Sequence, residues 1–144
     1  MEEEPEKLEK MTSQVVGQNL ARIRAASGMP VRVLAASLAE NGMKMSGSGI
    51  TEMEKGRRGV SVDQLTALAA ALGVSPITLL TPLDNPEHPD PEAETILSGT
   101  SYERAEDMYD WLRGEKSLTW DQMDGWEREG WRRRAAPKWA WKKD

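Results

Sequence analysis

The chain has 144 residues, 30% of them charged, a net charge of −5 and no cysteine. That length leaves room for one small core and an extension, and the absence of cysteine excludes disulfides and thiolate metal sites. No apolar run approaches the roughly 20 residues that span a bilayer, and the acidic N-terminus lacks the basic and apolar regions of a secretory signal, so a cytoplasmic protein with no membrane partner is expected.

The net charge hides three blocks. Residues 14–81 carry seven Lys/Arg against four Asp/Glu, residues 82–127 carry three against thirteen, and residues 128–144 carry seven against two. Binding to a polyanion depends on where cations lie, so an acidic middle is compatible with a basic reading head.

Residues 1–13 include Glu2-Glu3-Glu4-Pro5-Glu6 and are expected to be mostly disordered, with Leu8 and Met11 able to extend the first helix if packed. From Gln14, Val16, Leu20, Ile23 and Ala26 recur at helical spacing until Ser27-Gly28 stops them. After Met29-Pro30, Val31, Leu34, Ala35 and Leu38 mark a second short helix that ends at Asn41-Gly42. The glycine- and serine-rich stretch from Ala39 to Gly49 reads as loop for most of its length.

A third helix follows in Ser46-Gly47-Ser48-Gly49-Ile50-Thr51-Glu52-Met53-Glu54-Lys55-Gly56-Arg57-Arg58. Ser46 or Ser48 can cap it, Ile50 and Met53 share its buried side, and Gly56 supplies a left-handed stop. A helix that begins with short side chains can lie close to a groove floor, and cations just past its end are well placed for phosphates. This is the candidate DNA-recognition helix. Ser61 and Gln64 form a capping box for a fourth helix lined by Leu65, Leu68, Ala69 and Leu72 and ended by Gly73. Ser75-Pro76 opens a fifth, with Ile77, Leu79 and Leu80 as its apolar anchors.

Beyond Thr81 the composition changes. Residues 82–99, beginning Pro82-Leu83-Asp84-Asn85-Pro86, read as an extended acidic linker. Residues 100–144 read as a helical extension, with Thr100 and Glu103 capping one helix through about Arg113 and Thr119 with Gln122 starting another that runs into Arg132-Arg133-Arg134. All six tryptophans lie after residue 110, in a segment too short to bury six rings by itself. Trp126 and Trp131 are expected to pack with Trp111 and Leu112, with Arg132 to Arg134 folded back near Asp107 and Asp110. Tail contact with DNA and a disordered solubilising end are the competing readings.

Catalysis is not expected. The single histidine, His88, sits among prolines and acids, no Ser/His/Asp or Cys/His set can be assembled around it, and no phosphate-cradling glycine loop follows a strand. No cofactor and no metal are implied.

The combined spacing resembles the lambda-repressor-like domain of the Xre/Cro helix-turn-helix family over about residues 14–81. It is carried by Leu20-Ala21-Arg22-Ile23-Arg24 with Gly28, by Leu34-Ala35, by Ile50 through Arg58, and by Leu65-Thr66-Ala67-Leu68-Ala69-Ala70-Ala71-Leu72-Gly73-Val74-Ser75. The resemblance implies a five-helix DNA-binding domain, and with the linker and small helical extension read from composition and spacing the chain is expected to be all-α. It implies a sequence-specific transcriptional regulator on double-stranded DNA, acting as a homodimeric repressor. The alternatives are an antitoxin that autoregulates its operon through the same domain while its acidic half masks a toxin, and an adaptor that binds protein alone. The Trp-rich C-terminal region is the surface expected to take a protein partner.

The site residues that follow are Lys44, Ser46, Gly47, Ser48, Thr51, Glu52, Lys55, Arg57 and Arg58 for DNA, with Arg24 and Glu54 as the interhelical ion pair of the family. Two departures from the family pattern stand out. The turn before the recognition helix, Ala39 to Gly47, looks several residues longer than the usual length of about four, and Val31, Gly47, Ser48 and Glu52 replace long polar side chains. Base reading then shifts to Ser48, Thr51 or Lys44, or to DNA shape.

Overall fold

The structure is a computed structural model that describes residues 10–141. The expectation of disorder for residues 1–9 and the helical role of Leu8 lie outside them. The chain is mostly helical and divides into two units. The first comprises the chain through Pro82 together with Ile96–Ser101, and the second comprises Leu83–Thr95 and the chain from Tyr102 onward.

In the first unit α1 spans Met11–Ala26, α2 Val31–Glu40, α3 Gly47–Glu54, α4 Val62–Leu72 and α5 Pro76–Leu80. The first four stop by one device. Met29, Met43, Arg57 and Val74 each donate a backbone N–H five residues back, to Arg24, Leu38, Glu52 and Ala69, around a left-handed glycine at Gly28, Gly42, Gly56 and Gly73. This Schellman closure satisfies carbonyls that a helix end leaves bare, and an apolar residue after the glycine packs back on the helix. Met29, Met43 and Val74 do so against the core; Arg57 is exposed. The closure behind α3 therefore delivers a cation to the surface instead of an apolar clasp.

The core joins Val16 and Leu20 of α1, Leu34 and Leu38 of α2, Ile50 and Met53 of α3, Leu68 and Ala69 of α4 and Leu79 of α5. Each fully buried aliphatic side chain stabilises the fold by about 2 kcal/mol relative to exposure. Three details differ from the sequence expectation. Ala26 is exposed, and α1 also buries Val15, Gly17 and Asn19. The stretch from Ala39 to Gly49 is loop only over residues 41–46, because α2 continues through Glu40 and α3 already begins at Gly47. The start of α1 lies at Met11, three residues before Gln14.

That early start has a distant cause. Lys10 gives α1 no side-chain cap, but the Thr12 N–H donates to Ser98 Oγ at 3.1 Å and the Ser98 N–H donates to Thr12 Oγ1 at 2.8 Å. Ser98 lies in a strap, Ile96–Ser101, whose Leu97 is buried. A residue 86 positions away thus performs the task that a serine at the helix boundary performs elsewhere in the fold.

In the second unit β1 (Glu94–Thr95) pairs antiparallel with β2 (Glu103–Arg104), a short ribbon that an all-helical reading did not contain. Helix α6 is Ala105–Leu112 and begins after the position expected from a Thr100 cap. Thr100 Oγ1 instead accepts from the Leu97 N–H, while the first N–H groups of α6 donate to Ala93 and Pro91 carbonyls. The helix expected from Thr119 is split into a 3-10 turn, Trp120–Gln122, and α7, Gly125–Ala135. Asp124 and Glu127 form the capping box that restarts it. A second 3-10 turn covers Lys138–Ala140.

The tryptophans do not pack as expected. Trp131 meets Trp120 edge-to-face at 5.9 Å, Arg128 and Arg132 lie over the Trp120 ring at 4.8 and 5.0 Å, and Trp126 is 87% exposed. Asp107 is held by Arg104, and Asp110 by Arg113 with Lys116 beside it, so Arg132 and Arg133 turn to Glu129 of their own helix. Basic residues three positions away reach those carboxylates before a distant helix can. Trp126 and Trp131, five residues apart, also point to different sides of α7.

Candidate nucleic-acid interface

Helix α3 owes its place to its small residues. Ser46 Oγ accepts from the Gly49 N–H at 3.0 Å and fixes the first turn. A Cβ on Gly47 would stand 3.3 Å from Val31 Cγ1, so the glycine lets the N-termini of α2 and α3 converge. On the opposite side Gly17 of α1 lies so close to the Met53 carbonyl that any side chain there would overlap backbone. Gly49, Ile50 and Met53 are the buried face. Ser48, Thr51, Glu52 and Lys55, at helical spacings of three and four, form the outer face.

Two polar anchors set the angle of α3. Arg24 Nε and Nη2 donate to the two Glu54 carboxylate oxygens at 3.0 and 2.9 Å, and Nη1 donates to the Met29 carbonyl at 2.9 Å. The hydrogen bond to Glu54 holds the Arg24 pKa above its ordinary value against the opposing effect of desolvation. Asn19, 4% exposed, donates to the Leu79 and Thr81 carbonyls at 2.8 Å each and ties α1 to the end of α5. Such pairs fix orientation more than they add net stability.

The loop behind α3 is anchored as well. Ser13 Oγ accepts from the Val60 N–H at 3.1 Å, one residue after the cap shared by Thr12 and Ser98. Within this loop Arg57 reaches Glu52 at 3.6 Å, with the arginine side chain 65% exposed. The Arg58 guanidinium lies over the first turn of α3, its Nη1 2.6 Å from where a Gly49 Cβ would stand. Thr51 Oγ1 donates to the Gly47 carbonyl, and the Ser46 and Ser48 hydroxyls are 3.2 Å apart. Lys44, Lys55 and Arg58 are exposed and make no ion pair among the described residues.

The candidate residues therefore sort by position. Ser48, Thr51, Glu52 and Lys55 share the outer face of α3; Ser46 and Gly47 form its entry; Arg57 and Arg58 follow its end; Lys44 sits in the preceding loop. Arg32, exposed in the first turn of α2, is a further cation that the candidate set did not name. Gly17, Asn19, Ser13 and Ser98 were missed as well. Nothing local marks a glycine, amide or hydroxyl that acts on a distant element.

Two short helices joined by a turn, the second held across the first and presenting a polar face, define a helix-turn-helix domain. Residues 15–80 match the family model described as a helix-turn-helix domain. That segment is a helix-turn-helix domain, in keeping with its Xre/Cro resemblance. No curated protein and no solved structure matches the chain. No helix among the described residues is long and apolar enough to cross a membrane.

Proposed function

We propose that the chain is a sequence-specific transcriptional regulator that binds duplex DNA as a homodimer and represses, with no catalytic role. The observation that carries this reading is the outer face of α3: Ser48, Thr51, Glu52 and Lys55 stand opposite Gly49, Ile50 and Met53, with exposed cations at both ends of the helix. Inserted in the major groove, Ser48 and Thr51 reach base edges, and Glu52 can accept from a cytosine amino group once Arg57 turns to a phosphate. Lys44, Lys55, Arg57 and Arg58, with Arg32 from α2, meet the backbone; Ser46 and Gly47 allow close approach. One head presents few base-reading side chains, and two-fold pairing lengthens the site.

Selection of bound duplexes from a random pool tests the reading. A two-fold symmetric sequence, protected at two protomers per site, is expected. Replacing Arg57 and Arg58 by alanine should weaken binding to all sequences and reduce the salt slope by about one unit per lost phosphate contact. An unenriched pool, or variants with unchanged slope, would overturn it.

A further inference from the structure

The second unit carries an exposed surface of its own. Trp126, Gly130 and Arg133 follow one another on the outer side of α7 at spacings of four and three, and the Arg134 guanidinium lies across Gly130, 3.4 Å from where a Cβ would stand. Trp141 adds a ring under Arg133 at 5.3 Å and donates its indole N–H to the Ala136 carbonyl. Trp139, 88% exposed, stands beside Lys138. Glu129 engages Arg132 and Arg133; Arg134 and Lys138 make no ion pair among the described residues.

We propose that this surface, Trp126, Arg133, Arg134, Lys138 and Trp139, binds single-stranded DNA. The cations alone would suit any polyanion. Two indoles left almost wholly in water narrow the choice, because they gain from flat, apolar, accessible faces lying beside regularly spaced negative charge. Unpaired bases on a phosphodiester backbone supply both, and each base–aromatic stack is worth about 1–3 kcal/mol. A duplex hides its base faces, and an acidic peptide has none. The arginine stacked on Trp141 and the one laid across Gly130 are already ordered along the helix, which lowers the entropic cost of fixing them on phosphates. This surface is separate in sequence from the helix-turn-helix segment and does not require that segment to bind duplex.

All six tryptophans lie after residue 110, so the intrinsic fluorescence of the full chain reports on the second unit alone. Titration with a deoxythymidine oligomer at low salt should quench it, and equal concentrations of duplex, polyglutamate or anionic phosphatidylserine vesicles should quench it far less. The triple variant Arg133→Ala, Arg134→Ala, Lys138→Ala should bind the oligomer about tenfold more weakly with a flatter salt slope. The double variant Trp126→Ala, Trp139→Ala should lose about tenfold at unchanged slope. Lys138→Glu alone, outside α7, gives the same direction should the triple variant unfold. Arg57→Ala with Arg58→Ala should leave oligomer binding intact, which separates this surface from the head. Absence of quenching by the oligomer, equal quenching by duplex, peptide or vesicles, or variants that bind as the parent does would each overturn the proposal.

Discussion

The two units solve the problem of holding helices together in different ways. The helix-turn-helix unit buries a continuous apolar cluster from all five helices, with one bidentate ion pair and one buried amide placed where orientation matters. In the second unit α7 has no buried residue, and the Trp120 ring lies under the guanidinium groups of Arg128 and Arg132. Tryptophan there acts as a platform for cations, each contact worth about 0.5–1 kcal/mol when exposed. A segment rich in tryptophan is therefore not by itself a core. Two arginines of α7, eight and twelve residues further along the chain, reach the Trp120 ring and leave it stacked rather than buried.

Perturbing the first unit should be the most damaging. Gly17→Leu forces α1 away from the Met53 carbonyl, and overpacking against backbone should cost 3 kcal/mol or more, at the upper end of the roughly 1–3 typical of overpacked cores. Urea unfolding would show a lowered midpoint, and DNA binding should fall with it because α3 is displaced. A fully stable Gly17→Leu protein would mean that the two helices are not in backbone contact.

Next comes Asn19→Ala, which leaves the Leu79 and Thr81 carbonyls without their donor and should cost about 1–3 kcal/mol. Arg24→Ala should cost about 1–2 kcal/mol, discounted from the buried-pair range because the arginine side chain is 22% exposed. The raised Arg24 pKa fixes the sign of the pH effect. A cation whose folded pKa is raised contributes fully below its unfolded pKa, and that contribution fades only as pH rises through the folded one. The difference between parent and Arg24→Ala should therefore stay flat across the neutral and mildly alkaline range. A steady decline there would show that the guanidinium is not the group that matters.

Two probes of one unfolding curve distinguish the units. Tryptophan emission reports the second unit, and far-ultraviolet dichroism is dominated by the helices of the first. The emission transition should come first, and Arg128→Ala, which removes two hydrogen bonds to the Trp120 carbonyl and a ring contact, should move it further by about 1–2 kcal/mol. Coincident transitions would show that the two units share one cooperative fold. Smallest of all is Trp126→Ala, which should leave stability within about 0.5 kcal/mol because the ring is 87% exposed.

Much of the first unit was legible because its signals are local. Glycine after a helix, the Ser61–Gln64 box and the Ser75-Pro76 start each act within one turn, and each lies where the structure has a boundary. The buried side of α3, Ile50 and Met53, followed from spacing, and the residues of its outer face from the resemblance. Illegible were residues whose partners are far along the chain: Gly17 against Met53, Asn19 against Leu79, Ser13 against Val60, Ser98 against Thr12. The Thr100 box misled for a related reason, since the hydroxyl was already engaged at Leu97 and backbone carbonyls served α6 instead. The tryptophans misled because periodicity marks a ring as apolar but says nothing of the guanidinium that reaches it first.

The long-range cap on α1 also sets an order of events during synthesis. Ser98 is made 18 residues after Leu80, the last residue of α5. At translation rates of about 5–20 residues per second, the five helices have left the peptidyl-transferase centre roughly one to four seconds before the hydroxyl that completes the first turn of α1. Through Ser13 and Val60 that turn also fastens the loop bearing Arg57 and Arg58. A nascent head can thus collapse around its core while its cationic loop still waits for the strap, so the proposed interface is finished after the core beneath it although both lie in the part of the chain made first.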